Sequence, residues 1–434
     1  MVKIKQVSTQ AKATQVSALA KLLRTLGPGL ITGASDDDPS GIGTFSQTGA
    51  RFGYAQLWTA LFTFPLMLTI QEICARIALE TGSGLADTLR KFYPRSLLYL
   101  CVGLLLMANT INIGADLGAM AAAGQMLVGI PFLLWLVLIS LVSVALQVFV
   151  NYKRYAQILR VLTLSLLAYV LVPFVARMDW KTALTSTVIP TLQFNTDYAM
   201  NLVAILGTTI SPYLFFWQAS QEVEEKIEQG KTTPRQRQGV SKSELKWMRA
   251  DVASGMGFSQ IVQWFIIATT AATLSVNGIH TIESATQAAE ALRPIAGDLA
   301  YLLFAVGIIG TGLLAVPILA GSAAYAVAET FKMREGLYQR LREAPGFYSV
   351  IVVAVLVGVG INLIGLDPIK GLYYAAILNG IIAPPLLFVI MLIANNRTIM
   401  KKRVNGRWSN LIGWITTGAM SLAAAALLIS LVAQ

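Results

Sequence analysis

Residues 32–43 read Thr32-Gly33-Ala34-Ser35-Asp36-Asp37-Asp38-Pro39-Ser40-Gly41-Ile42-Gly43, inside an otherwise apolar stretch from about 28 to 49. Proline removes a backbone donor and clashes with the turn before it. Glycine and serine weaken a helix further. A helix over 28–49 is therefore expected to break at its centre. A second stretch, Gly207-Thr208-Thr209-Ile210-Ser211-Pro212-Tyr213, breaks the apolar run 200–220 in the same way.

The rest of the chain sets the solvent in which these breaks sit. Of 434 residues, 55% are hydrophobic and 13% charged, against roughly 25% charged in a soluble domain. So little charge cannot cover a water-facing surface, and lipid is the expected partner. Eleven apolar spans are expected, at 28–49, 54–75, 97–127, 131–150, 156–176, 200–220, 253–276, 298–328, 346–365, 371–394 and 409–432. No cleavable signal pattern precedes the first.

The net charge of +11 follows from orientation. Of 33 Lys and Arg, 28 fall in the N-terminal tail and in alternate connecting segments, and 5 (Arg51, Arg177, Lys181, Arg293 and Lys370) fall on the other side. Positive charge collects on the cytoplasmic side. The N-terminus is expected inside, the C-terminus outside, and no nucleic-acid partner is implied. Cys74 and Cys101 have no motif spacing.

Five spans separate the two breaks, so the broken helices run in opposite directions. That is the layout of a five-plus-five inverted repeat with the substrate between the breaks. The expected organisation is a cytoplasmic tail at 1–27, a core at 28–395 with repeats at about 28–176 and 200–395, and a cytoplasmic loop plus eleventh helix at 396–434.

Three adjacent aspartates at mid-membrane are the sharpest feature. One ionised carboxylate there costs at least about 2.5–3.5 kcal/mol, so three require water, cations or protons. Asp38, before Pro39, is the candidate central ligand. Asp37 or Asp36 would line an aqueous entrance, though a water-exposed helix end would also hold them. The donors near the breaks are oxygens: the hydroxyls of Ser40, Thr208, Thr209 and Ser211, and carbonyls released by unwinding. Neither break has Cys, Met or His, and the only histidine is His280. Carboxylate, carbonyl and water suit Mg2+, Ca2+ and Mn2+, and small walls leave room for the waters Mg2+ retains. Asn109, Asn112 and Asp116 share one face of the third span, and Asn379 lies in the tenth. Asp116 is a functional candidate as an intramembrane charge. The asparagines read most simply as inter-helix hydrogen-bonding groups.

These residues resemble a known family. Gly27-Pro28-Gly29 followed by Asp38-Pro39, the stretch Thr81-Gly82 to Leu85-Ala86 ending in Leu89-Arg90, Ala115-Asp116-Leu117, and Gly207 to Pro212 are similar to segments of the Nramp divalent-metal transporters. The likeness extends over about residues 27–395. It implies a LeuT-type fold with helices 1 and 6 broken, and divalent-metal import. The family's metal-binding Asp is retained as Asp38. Its Asn falls on Gly41, its carbonyl-lending Ala on Thr208, its Met on Ser211, its His on Tyr213 and its helix-ten Gln on Asn379. Third-helix acids linked to proton transfer fall on Asn109 and Ala119. The pattern resembles the Nramp-related magnesium transporters, a prokaryotic branch with a wider pocket.

The expected protein is thus a multi-pass inner (plasma) membrane transporter, a monomer without cofactor or enzymatic activity. It would import Mg2+, and Mn2+ as well, by alternating access without obligatory proton coupling. Its metal site would comprise Asp38, Gly41, Thr208, Ser211, Asp37 and Asn379. Two rival readings are a proton-coupled Mn2+/Fe2+ symporter and an organic-solute (amino acid or amine) transporter of the same fold.

Overall fold

The computed structural model describes residues 27–150, 167–176, 178–365 and 367–432, and the described residues form helices with no strand. The basic N-terminal tail and the start of the expected fifth span lie outside them. The first expected span is two helices, α1 (Pro28–Asp36) and α2 (Pro39–Phe52). There follow α3 (Trp58–Thr81), a short α4 (Leu85–Phe92), α5 (Arg95–Val128), α6 (Phe132–Phe149), α7 (Leu167–Val175) and α8 (Trp180–Val188). The sixth span is again two helices, α9 (Thr196–Thr209) and α10 (Pro212–Glu228). The chain continues with α11 (Lys242–Thr273), α12 (Ala300–Phe331), α13 (Pro345–Asn362), α14 (Pro368–Asn395) and α15 (Arg407–Val432).

Among the described residues, nine helical stretches are long and apolar enough to cross a membrane. Two of the eleven expected spans are not among them. The first is divided into pieces of 9 and 14 residues, and the fifth is described only from Leu167.

The two breaks share one design. Asp37 (φ −83°, ψ 50°) and Asp38 (φ −70°, ψ 172°) join α1 to α2. Ile210 (φ −113°, ψ 60°) and Ser211 (φ −81°, ψ 135°) join α9 to α10. In each, two non-helical residues precede a proline at the first helical position. A residue before proline is pushed out of the helical region, and proline at that position has no needed donor to lose.

The broken helices lie inside the bundle. α11 packs against α1, α2 and α3, and α5 runs along α12 and α14. α6, α13 and α15 are outermost and expose Leu134, Leu138, Leu141, Val353, Leu356 and Leu422, an apolar jacket suited to lipid. The segments rich in Lys and Arg meet at one end. There Glu72 pairs with Arg76 at 3.1 Å and Arg249 at 2.9 Å, and Arg76 donates to Asn405 at 2.6 Å. At the opposite end Arg51 pairs with Asp197 at 2.6 Å.

Candidate cation site

Asp38 is held by the backbone it terminates. Its Oδ1 accepts from the Gly41 amide at 2.7 Å and the Ser40 hydroxyl at 2.7 Å, capping α2 as an Asp before a helix does. Ser40 Oγ lies 3.5 Å from Thr208 Oγ1, so one hydroxyl links the two breaks. Gly41 faces the same gap: a Cβ there would stand 3.2 Å from the Asp36 carbonyl and 3.4 Å from Thr208 Oγ1. The gap is narrow, and a side chain at this position would crowd both oxygens.

Ser211 behaves differently from the simple expectation of an inward-facing hydroxyl. Its Oγ is 2.7 Å from the Gly207 carbonyl and 2.8 Å from the Thr208 carbonyl. The hydroxyl proton turns back on carbonyls that unwinding releases, while the oxygen's lone pairs remain for a cation or a water. Another released carbonyl, that of Ser35, accepts from Tyr213 at 3.0 Å. Asn379 is buried on α14, and its Nδ2 has no hydrogen-bond partner. That turn of α14 presses on the end of α9: a Cβ on Gly207 would be 2.0 Å from the Ala376 carbonyl.

Asp37 does not join Asp38. With Asp36 it faces α11, where Ser259 Oγ lies 2.5 Å from Asp36 Oδ2 and 3.4 Å from Asp37 Oδ1. All three aspartates are buried, so none stands at a wet helix end. Asp116 stands near enough to act on Asp38, and its own oxygens make no well-formed hydrogen bond. Asn109 has the plain structural role, donating to the Leu319 carbonyl at 2.9 Å and to Ser322 at 2.6 Å. Asn112 is buried without a partner. Among the described residues, no three His, Cys, Asp or Glu side chains form a metal cage. One capped carboxylate among hydroxyls and carbonyls suits an ion that must also leave.

The described residues pack closely on both sides of Asp38. At the Arg51 end, a cavity of about 630 Å3 beside Gln125, Ser284 and Asp367 gives way to a gap of about 10 Å3 between Ile42, Ile282, Phe304, Ile308, Ile369 and Leu372. At the basic end, a recess of about 410 Å3 is lined by Glu222, Glu225, Glu244 and Asp251, with Lys226 among them. Beyond it α1 lies on α11 with no room between. A Cβ on Gly29 would be 2.6 Å from the Val252 nitrogen, and one on Gly33 would be 2.2 Å from the Gly255 carbonyl. Asp251 also holds the Gly27 and Gly29 amides at 2.8 and 2.6 Å.

Ser259, Gln263 and Asp251 were not among the sequence candidates. Ser259 and Gln263 are four residues apart on one face of an apolar span, a polar stripe that marks an interior-facing surface. Gln263 ties Thr209, at 3.5 Å, to Thr59, at 3.3 Å.

Comparison with known proteins fits this architecture. Residues 29–430 match the family described as Nramp, natural resistance-associated macrophage protein-like. A "divalent metal cation transporter MntH" of Deinococcus radiodurans is 27% identical over 410 residues, covering 91% of this chain and 87% of that protein. One of Klebsiella pneumoniae is 25% identical, covering 91% of each. The structure is similar to the Eremococcus coleocola manganese transporter, with a TM-score of 0.72 at 17% identity over 98% of this chain and 91% of that one. It is also similar to Mhp1, a nucleobase-cation-symport-1 family transporter, with a TM-score of 0.57 at 14% identity over 93% and 91%. With a LeuT-like, all-helical bundle broken at Asp38 and Ser211 and a family match over nearly its whole length, the chain belongs to the Nramp family.

Proposed function

We propose that this protein imports hard divalent cations, chiefly Mg2+ and also Mn2+, by alternating access without obligatory proton coupling. The observation that carries the reading is the donor set. Asp38 is the fixed charge, Ser40, Thr208 and Ser211 supply oxygens, Gly41 spares the gap a side chain, and Asn379 supplies a buried amide. Sulfur and imidazole, which favour later transition metals, are absent from both breaks. An oxygen-lined site with small side chains would let the ion keep waters once the helices part, and dehydration is the main obstacle for Mg2+. The relatives' description as divalent metal cation transporters agrees with the substrate class.

The ion would enter from the end bearing Arg51 and leave at the basic end, which the positive-inside rule assigns to the cytoplasm. The C-terminus would lie outside and the host membrane would be the plasma membrane. The membrane potential contributes about 2.3 kcal/mol per charge per 100 mV, doubled for a dication. No cofactor and no partner chain are needed. A second reading, a proton-coupled Mn2+/Fe2+ symporter, draws on Asp116, buried near Asp38 without a well-formed hydrogen bond.

The deciding experiment is uptake of Mg2+, Mn2+ and Ca2+ into proteoliposomes with a pH-sensitive dye inside. Mg2+ entry without a proportional proton signal supports the proposal. Mn2+ entry with a stoichiometric proton signal and no Mg2+ flux replaces it with the second reading.

A further inference from the structure

The two carboxylates that turn away from Asp38 are unexplained by a single site. Asp36 and Asp37 are each about 1% exposed and Ser259 is fully buried. Asp38 addresses α2 through the Gly41 amide and Ser40, whereas Asp36 and Asp37 address α11 through Ser259. The break therefore presents acids in two directions. Ser259 has one proton to donate and two carboxylates to serve. Asp36 Oδ1 and Asp37 Oδ2 are buried with no hydrogen-bond partner. Asp36 also ends α1, and a helix C-terminus favours positive charge.

Among the described residues, no Lys or Arg pairs with either carboxylate. Thr63 donates to Gln260 at 3.0 Å and Gln260 donates to the Met67 sulfur at 3.4 Å, so neutral groups hold α3 on α11 there. The Arg249–Glu72 pair closes the same seam nearer the basic end. Gln71 lies on α3 between these contacts, fully buried, with neither its oxygen nor its nitrogen partnered. A buried amide left without partners is destabilising.

We infer that Asp36, Asp37 and Ser259 form a second position for a divalent cation, inward of the Asp38 site and reached by the ion just before release. The inference rests on the cation-transport reading. Its place in the path follows from the packing. α1 carries Asp36 at one end, lies on α11 through Gly29, Gly33 and Gly255, and has its other end beside the acid-lined recess. Parting α1 from α11 would open this pair toward that recess. Two carboxylate oxygens and one hydroxyl, completed by waters, are an ordinary oxygen set for Mg2+ or Mn2+.

The test is Mn2+ binding to purified full-length protein in nanodiscs, followed by loss of the free-ion electron paramagnetic resonance signal. Two equivalents per chain are expected. Asp36→Asn and Asp37→Asn should each remove one and keep the other, and that retained equivalent certifies the fold. Asp38→Asn should also leave one. Ser259→Ala, a milder change, should weaken one equivalent about tenfold, as loss of a supporting group does. A single equivalent that disappears in Asp38→Asn and ignores Asp36→Asn, Asp37→Asn and Ser259→Ala overturns the inner position and leaves the transport reading standing. No Mn2+ bound, with neither Mg2+ nor Mn2+ carried by the wild-type protein in liposomes, overturns both.

Discussion

At the scale of single residues, Asp38 caps α2 and is the proposed anchor of the ion, and the two roles can be separated. Asn caps a helix about as well as Asp, so Asp38→Asn should preserve the cap on α2 while removing the fixed charge. Uptake of Mg2+ and Mn2+ should fall to background with the melting temperature nearly unchanged; wild-type flux would remove Asp38 from the mechanism. A riskier expectation concerns Gly41 and Ser211. An asparagine at 41 would fill the space beside Thr208 and the Asp36 carbonyl. A methionine at 211 would replace the hydroxyl that rests on Gly207 and Thr208. The double variant Gly41→Asn/Ser211→Met should lose Mg2+ flux more than Mn2+ flux, because Mn2+ sheds water more readily and tolerates sulfur. Proportional loss of both would indicate blockage alone, and unchanged Mg2+ flux would place selection elsewhere. The break at Asp38 was legible in the sequence because a residue before proline is pushed out of the helical region. The partnership of Asp36 and Asp37 with Ser259 was not, since the serine comes more than 220 positions later. The turned-back Ser211 hydroxyl depends on local geometry that composition does not encode.

Among the elements, the two proline breaks were readable, since proline and its neighbours act locally. The seam between α1 and α11 was not, although its glycines were visible. Their meaning depends on a contact between segments more than 200 residues apart. A methyl group at Gly33 would meet the Gly255 carbonyl at 2.2 Å, and backbone cannot yield as a side chain does. Gly33→Ala should therefore lift α1 from α11 at a cost of about 1–3 kcal/mol. The measurement is thiol labelling of Ser259→Cys by a membrane-impermeant reagent applied at the cytoplasmic side. Labelling should accelerate in the Gly33→Ala background; an unchanged rate would mean that the seam does not guard this path. A second expectation belongs to the loop after α12. Burial, then the charges of Glu329, Asp87 and Glu224, push the Glu335 carboxyl up to about 9. A carboxyl raised in the folded state holds a proton that the unfolded chain releases near pH 4.5, so stability falls as pH rises from about 4.5 to 9. Glu335→Gln should flatten that decline in thermal melts between pH 5 and 9 and raise the melting temperature at pH 8. A variant with the parent's slope would assign the decline to other groups.

For the whole molecule, apolar spans and charge asymmetry were readable because a bilayer imposes them on composition. The fifth span falls largely outside the described residues, and the first is too fragmented to register by length alone. Mg2+ uptake is expected to leave the interior pH of vesicles unchanged, and a stoichiometric proton signal would direct attention to Asp116. The small gap among Ile42, Ile282, Phe304, Ile308, Ile369 and Leu372 bears on the same question. At about 10 Å3 it holds at most one water molecule, and apart from the Ser46 hydroxyl its lining side chains are apolar. The glycine seam closes the opposite side as tightly. Packed this closely on both sides of Asp38 among the described residues, an idle carrier would act as an electrical insulator. With no file of water between the two sides, neither protons nor bare ions would leak down their gradients, and a cell could keep many copies in its membrane without discharging it.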